Sequence, residues 1–170
     1  MAHLEEIPLF PLHTVLFPHA SLHLNVFEER YHQMLRYCLE YDQPFGIVLI
    51  RSGSEVGGAA EPYMVGTACR ITRVHERDDA RTDVYVEGTS RFRIRKLDET
   101  RPYLVGYVEP VIEGDMENEG RTQALMHRVT EIFQDLVQME IGRRDFSVEI
   151  RATSDPVALS FVIAGFLPME

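Results

Sequence analysis

Lysine is nearly missing from this chain: 16 of its 17 basic residues are arginine, and Lys96 stands alone. Lys96 follows Arg95, so no GxxxxGKS/T segment exists to cradle nucleotide phosphates. The same lysine, the one base a Ser-Lys hydrolase could use, ends a strand-like stretch with no serine nucleophile motif beside it, which argues against such a dyad. Cysteine is scarce as well. Cys38 and Cys69 are far apart and form no CxxC pair, which argues against a zinc knuckle or a disulfide framework and for two reduced, buried thiols. Long apolar runs are lacking: the longest, Pro156 to Met169, is too short to span a bilayer. No basic stretch followed by an apolar one opens the chain, so the expected compartment is the cytoplasm, without membrane contact. Internal repeats and low-complexity tracts are also absent.

Negative charge, by contrast, is in excess. A net charge of −10 repels nucleic acid and anionic lipid unless the arginines cluster. With 170 residues and 45% hydrophobic content, the chain suits one domain, or one domain with a small appendage, that buries a real core.

Proline and short apolar runs dominate the beginning. Pro8 and Pro11 fix φ and remove backbone donors, which predicts a first strand confined to a sheet edge or to a short extended piece. Pro18 predicts a turn, Leu22 to Val26 a short strand, and Glu28 to Asp42 a helix. On that helix Tyr31, Met34, Leu35, Cys38 and Leu39 share the apolar side, and Gln43-Pro44 closes it. Phe45 to Ile50 is apolar throughout and reads as a central strand. Ser52 to Pro62, rich in Gly, Ser and Ala, reads as a mobile loop.

Thr82 to Glu87 and Arg91 to Leu97 both alternate, which predicts a hairpin. Its register pairs Val86 with Phe92 and Val84 with Ile94, all on one face. The same register sets Glu87 against Arg91, Asp83 against Arg95 and Tyr85 against Arg93. Tyr103 to Ile112 is a further strand candidate. Beyond it, residues 113–120 read as an acidic linker with two glycines. Ala124, Leu125, Val129, Ile132, Phe133, Leu136 and Val137 then make an apolar stripe on a helix from about Thr122 to Glu140. Asp155-Pro156 offers an N-cap and a first-turn proline for a last helix, through about Leu167, that is apolar nearly all round. Such a helix wants a partner surface, which leaves self-association open.

Several of these pieces, taken in order, resemble the N-terminal substrate-binding domain of the bacterial Lon protease family. They are Ile7-Pro8-Leu9-Phe10-Pro11-Leu12, Val15-Leu16-Phe17-Pro18 and Phe27-Glu28-Glu29-Arg30-Tyr31, followed by Val65-Gly66-Thr67 and Gly88 with Arg91-Phe92-Arg93. Pro102-Tyr103-Leu104, Val108-Glu109-Pro110 and Ser154-Asp155-Pro156 complete the set. The resemblance implies an α+β fold: a mainly antiparallel, PUA-like β pseudo-barrel with one inserted helix, followed by a C-terminal helical subdomain. It implies a β domain over residues 1–112, the linker at 113–120, and helices over 121–170. The family's helical part would be expected to continue past Glu170, making this chain a trimmed piece or a shortened relative. The same domain occurs in short stand-alone proteins without the protease machinery.

The function so implied is non-catalytic and cofactor-free: a substrate binder or adaptor for unfolded or extended polypeptide, working with a protease or chaperone. Leu9, Phe10, Pro11, Phe17, Pro18, Phe27 and Tyr31 are the candidate contacts. They would belong to a groove between the Pro-rich opening segment, the loop at Ser52 to Pro62 and the helix at Glu28. Core packing competes for the same side chains, and Phe10, Phe17 and Phe27 are each expected to be mostly buried. The alternative is a PUA-like RNA-binding module using an outer stripe of Arg91, Arg93 and Arg95, which the overall charge and the scarcity of aromatic platforms oppose. His13, His19, His23 and His32 invite a metal reading. Their positions on turns, a strand and a helix, without an HExxH or paired-Cys companion, point instead to solvated or capping roles.

Overall fold

The structure, a computed structural model, describes residues 4–58, 60–77, 80–114, 119–141 and 155–167. It divides into two compact units, Met1–Val111 and Ile112–Glu170.

The first unit holds β1 (Glu5–Leu12), β2 (Ser21–Val26), α1 (Glu29–Glu40), β3 (Phe45–Gly53), β4 (Ala60–Glu76), β5 (Thr82–Asp98) and β6 (Val105–Pro110). The six strands run in the order β2-β5-β4-β3-β1-β6, and β5 also pairs with β6. Five of them therefore close into a ring, as expected of a pseudo-barrel, and β2 attaches outside it along the first half of β5. Every pairing is antiparallel except β1 with β3. That parallel pair requires a long crossover, which β2 and α1 supply.

β1 is an interior strand, not the edge that its prolines predict. Successive amides of a strand point to opposite sides. The Leu9 N–H reaches the Leu104 carbonyl on the β6 side at 2.8 Å, so residue 8 faces β3 and residue 11 faces β6. Pairing with β6 covers only Glu5 to Pro8, and pairing with β3 only Leu9 to Leu12. Each proline thus falls where no acceptor waits.

The predicted hairpin is also corrected. Residues Thr82 to Asp98 form one uninterrupted strand, with no turn at Gly88. Val86 lies opposite Ile71 and Leu22, Val84 opposite Val74 and Leu24, and Ile94 opposite Val108. Glu87 bonds Arg70 at 2.6 Å, and Arg95 pairs with Glu109. The loop expected from Ser52 to Pro62 is shorter, because β3 extends to Gly53 and β4 starts at Ala60.

Two apolar clusters hold this unit. The larger packs α1, through Tyr31, Met34, Leu35 and Cys38, onto Phe10, Phe45, Ile47, Val84 and Val86. The smaller joins Ile7, Leu9, Val48, Phe92, Ile94 and Val108. β1 and β3 contribute alternate side chains to both clusters, which is why Phe45 to Ile50 reads as a continuous apolar run. Leu39, placed on the apolar side of α1 by its spacing, is 53% exposed. The helix ends as Asp42 takes φ 50° and the Gln43 N–H bonds the Cys38 carbonyl at 2.9 Å, a Schellman closure. Burial pushes the Cys38 thiol up to about 12 and raises that of Cys69 as well, so both are inert, free thiols.

The second unit contains α2 (Glu119–Ile141) and α3 (Pro156–Phe166). The expected linker is thus shorter, since Glu119 and Gly120 are already helical; residues 115–118 and Ser154 lie outside the described residues. Asp155 caps α3, its carboxylate accepting the Val157 N–H at 3.0 Å, with Pro156 in the first turn. Phe133 of α2 is buried and meets Phe166 of α3, ring centroids 5.4 Å apart. The rest of the predicted stripe is not interior: Leu125, Val129, Ile132 and Leu136 are exposed, and the side chain of Val137 is outside the description. Among the described residues no helix is long and apolar enough to cross a membrane.

Candidate polypeptide-binding groove

The start of α1 is where the sheet, the helix and the loop at residues 54–58 meet. Glu28 is the N-cap by backbone, but its side chain makes no capping bond. Instead its carboxylate accepts the Gly57 N–H at 3.2 Å and binds Arg30 at 3.1 Å. Arg30 in turn donates to the carbonyls of Gly58 at 3.1 Å and Glu55 at 3.2 Å. The Glu55 carboxylate accepts the His13 N–H. Two oppositely charged side chains from one helical turn therefore hold a glycine-rich loop by its backbone, where side-chain packing could not. The Arg30 guanidinium also lies over the Tyr31 ring, 4.6 Å from its centroid. Tyr31 stacks on Phe10 at 4.0 Å, nearly parallel, and burial raises its phenol's pKa.

Two clefts flank this tie. One, of about 260 Å³, runs from β2 across to the end of β1 and the tip of the loop, with Phe10, Tyr31, Phe27, Glu28 and Val56 in its walls. The other, of about 370 Å³, lies between the loop and residues 99–104 and is walled by Pro11, Arg30, Tyr31, Gly57 and Arg101. Arg101 is held by Glu6 at 2.5 Å. The first cleft falls below, and the second only at the lower end of, the roughly 300–1,000 Å³ that typically encloses a cofactor or drug-sized ligand. Phe27 at 52% exposure and Val56 at 52% put apolar surface on the rim of the first cleft.

The candidate contacts divide accordingly. Phe10, Pro11, Phe27 and Tyr31 line one cleft or the other. Phe27, expected in the core, projects instead, because it follows β2 directly and precedes the cap of α1. Leu9 is fully buried in the smaller cluster, and Pro18 is buried in a turn. Phe17 is half-buried, its carbonyl accepting the Ala20 N–H at 3.1 Å. These three line neither cleft. Sequence reasoning passed over Val56, Arg30 and Glu55. The only local signal was a lone valine inside a Gly/Ser/Ala-rich loop, two residues after Ser54.

The arginine stripe alternates outward on β5, but with other partners than predicted. Arg95 pairs with Glu109, and Arg93 faces Glu109 and Val65 across the sheet. Arg95 first, and Arg93 more weakly, hold the Glu109 carboxyl below its ordinary value. Arg91 is half-buried opposite Thr67. Asp83 accepts from Asn25 at 3.0 Å, contacts the His23 ring at 3.0 Å and meets Arg77 at 3.4 Å. His19 occupies a turn, and His32 lies half-buried on α1. Among the described residues no three His, Cys, Asp or Glu side chains group closely enough to hold a metal ion.

Comparison with known proteins places this geometry. Residues 6–170 match the family model described as the ATP-dependent protease La (LON) substrate-binding domain. A Lon protease of Syntrophus aciditrophicus is 24% identical over 169 residues, covering 96% of this chain and 21% of the relative. The chain thus spans about a fifth of that relative's length. A crystal structure of a Lon N-terminal domain protein from Xanthomonas campestris is 27% identical, with TM-score 0.57, covering 96% of this chain and 99% of that one. The N-terminal domain of Mycobacterium avium complex Lon protease shares the fold with TM-score 0.66 at 16% identity, over 95% of this chain and 82% of that one.

Proposed function

Since this chain belongs to the ATP-dependent protease La (LON) substrate-binding domain family, we propose that it is a non-catalytic module that binds unfolded or extended polypeptide. It acts as an adaptor, presenting that polypeptide to a protease or chaperone. The observation that carries this reading is the apolar rim of Phe27 and Val56 beside a cleft floored by Phe10 and Tyr31. Exposed aromatic and aliphatic side chains next to a concave floor are what a partner's apolar side chains need. The arginine stripe supports a nucleic-acid role less well, because the carboxylate of Glu109 already takes up Arg95 and attracts Arg93.

Reduced, carboxymethylated α-lactalbumin is a suitable permanently unfolded probe. Replacing Phe27 and Val56 together by serine should weaken its capture at least tenfold while leaving the melting temperature within a few degrees. Undiminished capture by the double variant would remove the groove from consideration. RNA retention on filters that drops when Arg91 and Arg93 are both replaced by alanine would favour the nucleic-acid reading instead.

A further inference from the structure

The first cleft is lined by every residue from Leu22 through Phe27. Inner and outer side chains alternate along a strand, so a cleft on either face of β2 would touch only every second residue. Contact with all of them means that the cleft follows the strand's unpaired edge. Among the described residues β2 pairs only with β5.

The hydrogen bonds at the start of β2 tell which amides that edge presents. The Gly88 N–H donates to the Ala20 carbonyl and the Gly88 carbonyl accepts the His19 N–H, both at 2.9 Å. Gly88 therefore faces β2, and by alternation so do Val86, Val84 and Thr82, whose partners are Leu22, Leu24 and Val26. The N–H and C=O groups of Ser21, His23 and Asn25 point the other way, and His23 and Asn25 line the cleft. Edge strands are commonly blunted by proline, lysine or a bulge within them. SLHLNV carries none of these. Leu12, Thr14 and Val56 line the same cleft beside this bare edge.

Resting on the polypeptide-binding reading, we infer that the bound segment adds to β2 as a further strand, hydrogen-bonded through Ser21, His23 and Asn25, with alternate apolar side chains meeting Phe27 and Val56. A row of donors and acceptors repeating every ~6.8 Å is matched by extended backbone. A second copy of this chain is a poorer occupant, because two bodies each of net charge −10 repel.

The test uses the full chain and a fluorescein-labelled peptide of alternating valine and threonine with lysine at both ends. Two further peptides carry N-methyl groups on one or the other alternate set of amides. Strand addition predicts that one methylated peptide loses affinity at least tenfold and the other stays within about threefold of the parent. Amide exchange at Ser21, His23 and Asn25 should slow on adding the parent peptide, while Leu22, Leu24 and Val26 are already slow. Equal affinities of all three peptides, or equal loss by both methylated ones, would overturn strand addition while leaving polypeptide binding standing. Failure of the parent peptide and of unfolded α-lactalbumin to bind would overturn both. Protection of the same three amides by raising protein concentration alone would assign the edge to a second copy and overturn the inference.

Discussion

Inside the ring of strands the chain has no slack, whereas at the start of α1 it leaves clefts bridged by one ion pair. The Phe92 ring occupies the space where Gly46 and Gly66 lack side chains: a Cβ at Gly46 would lie 2.5 Å from it, and one at Gly66 2.6 Å. Gly66 is further crowded by Val48 and by the Ile47 carbonyl. Thr67, beside it, donates from its buried hydroxyl to the Leu16 carbonyl at 2.6 Å and so pins the segment before β2. The Val65-Gly66-Thr67 and Arg91-Phe92-Arg93 motifs are therefore matched to one another as packing. The rim uses other means: charged side chains grip loop backbone, and apolar side chains project. The first region stores stability, and the second leaves apolar surface exposed.

The largest expected effects break the interior. Phe92→Ala should leave a cavity between the two glycines and cost about 3–5 kcal/mol. Gly66→Ala should cost about 1–3 kcal/mol, because rigid backbone stands among its neighbours. Urea denaturation followed by circular dichroism measures both; a midpoint unchanged by Phe92→Ala would show that the ring is not the source of stability.

At the rim the expected cost is smaller and local. Arg30→Met keeps an aliphatic side chain of similar reach but deletes the guanidinium over the Tyr31 ring and its bonds to Glu28, Glu55 and Gly58. Hydrogen bonds of this kind contribute about 0.5–1.5 kcal/mol each, less when partly solvated. Global stability should fall by about 1–2 kcal/mol, while the loop at residues 54–58 becomes markedly more sensitive to limited proteolysis. Cleavage at an unchanged rate would mean that the loop is held by something other than Arg30.

β2 lies between the two regimes, and acid should separate them. The Asn25 amide foremost, then His23 and Arg77, hold the Asp83 carboxyl below its ordinary value of 3.8. A carboxylate whose pKa is lowered by folding stabilises fully above its unfolded value and loses that contribution as pH falls through the folded one. The melting temperature of the native chain should therefore exceed that of Asp83→Asn above about pH 5, and the gap should close towards pH 2–3. A gap independent of pH would show that the Asp83 charge does not fasten β2 to β5.

Much of the ring was legible because its signals are local. Phe45 to Ile50 announces burial on both faces, and the Asp155-Pro156 cap announces α3. Gly88 misled because a glycine between alternating runs looks like a turn. Its actual cause is a long-range approach: a Cβ there would collide with the Phe17 carbonyl. The six-residue step from Val86 to Phe92 keeps the same parity, which suits an uninterrupted strand as well as a hairpin. Pro8 and Pro11 misled for a similar reason, since which side of β1 is unpaired depends on where β3 and β6 end. At the rim, the segments framing the clefts are recognisable from prolines, glycines and the helix start, but exposure is not. Nothing local distinguishes Phe27, which projects, from Phe10, which is buried, or Leu9, which faces the other cluster.

The smallest effect should be a gain. Pro18 and His19 fill the centre of a turn closed by the Ala20 N–H on the Phe17 carbonyl, and His19 has φ 66°. Proline followed by a left-handed residue is the signature of a type II turn, whose third position favours glycine. The paired bonds of His19 and Ala20 to Gly88 then form a bulge of the kind that also favours glycine at its first residue. One histidine thus carries two demands for a conformation that disfavours a Cβ. His19→Gly relieves about 1 kcal/mol of backbone strain and loses part of it to the greater freedom of the unfolded chain. A net gain of about 0.5 kcal/mol, a melting temperature one or two degrees higher, is the expected result, with polypeptide capture unchanged because His19 lines neither cleft. A loss of stability would mean that the imidazole makes a contact worth more than the strain, and a loss of capture would extend the binding surface from the rim onto this turn.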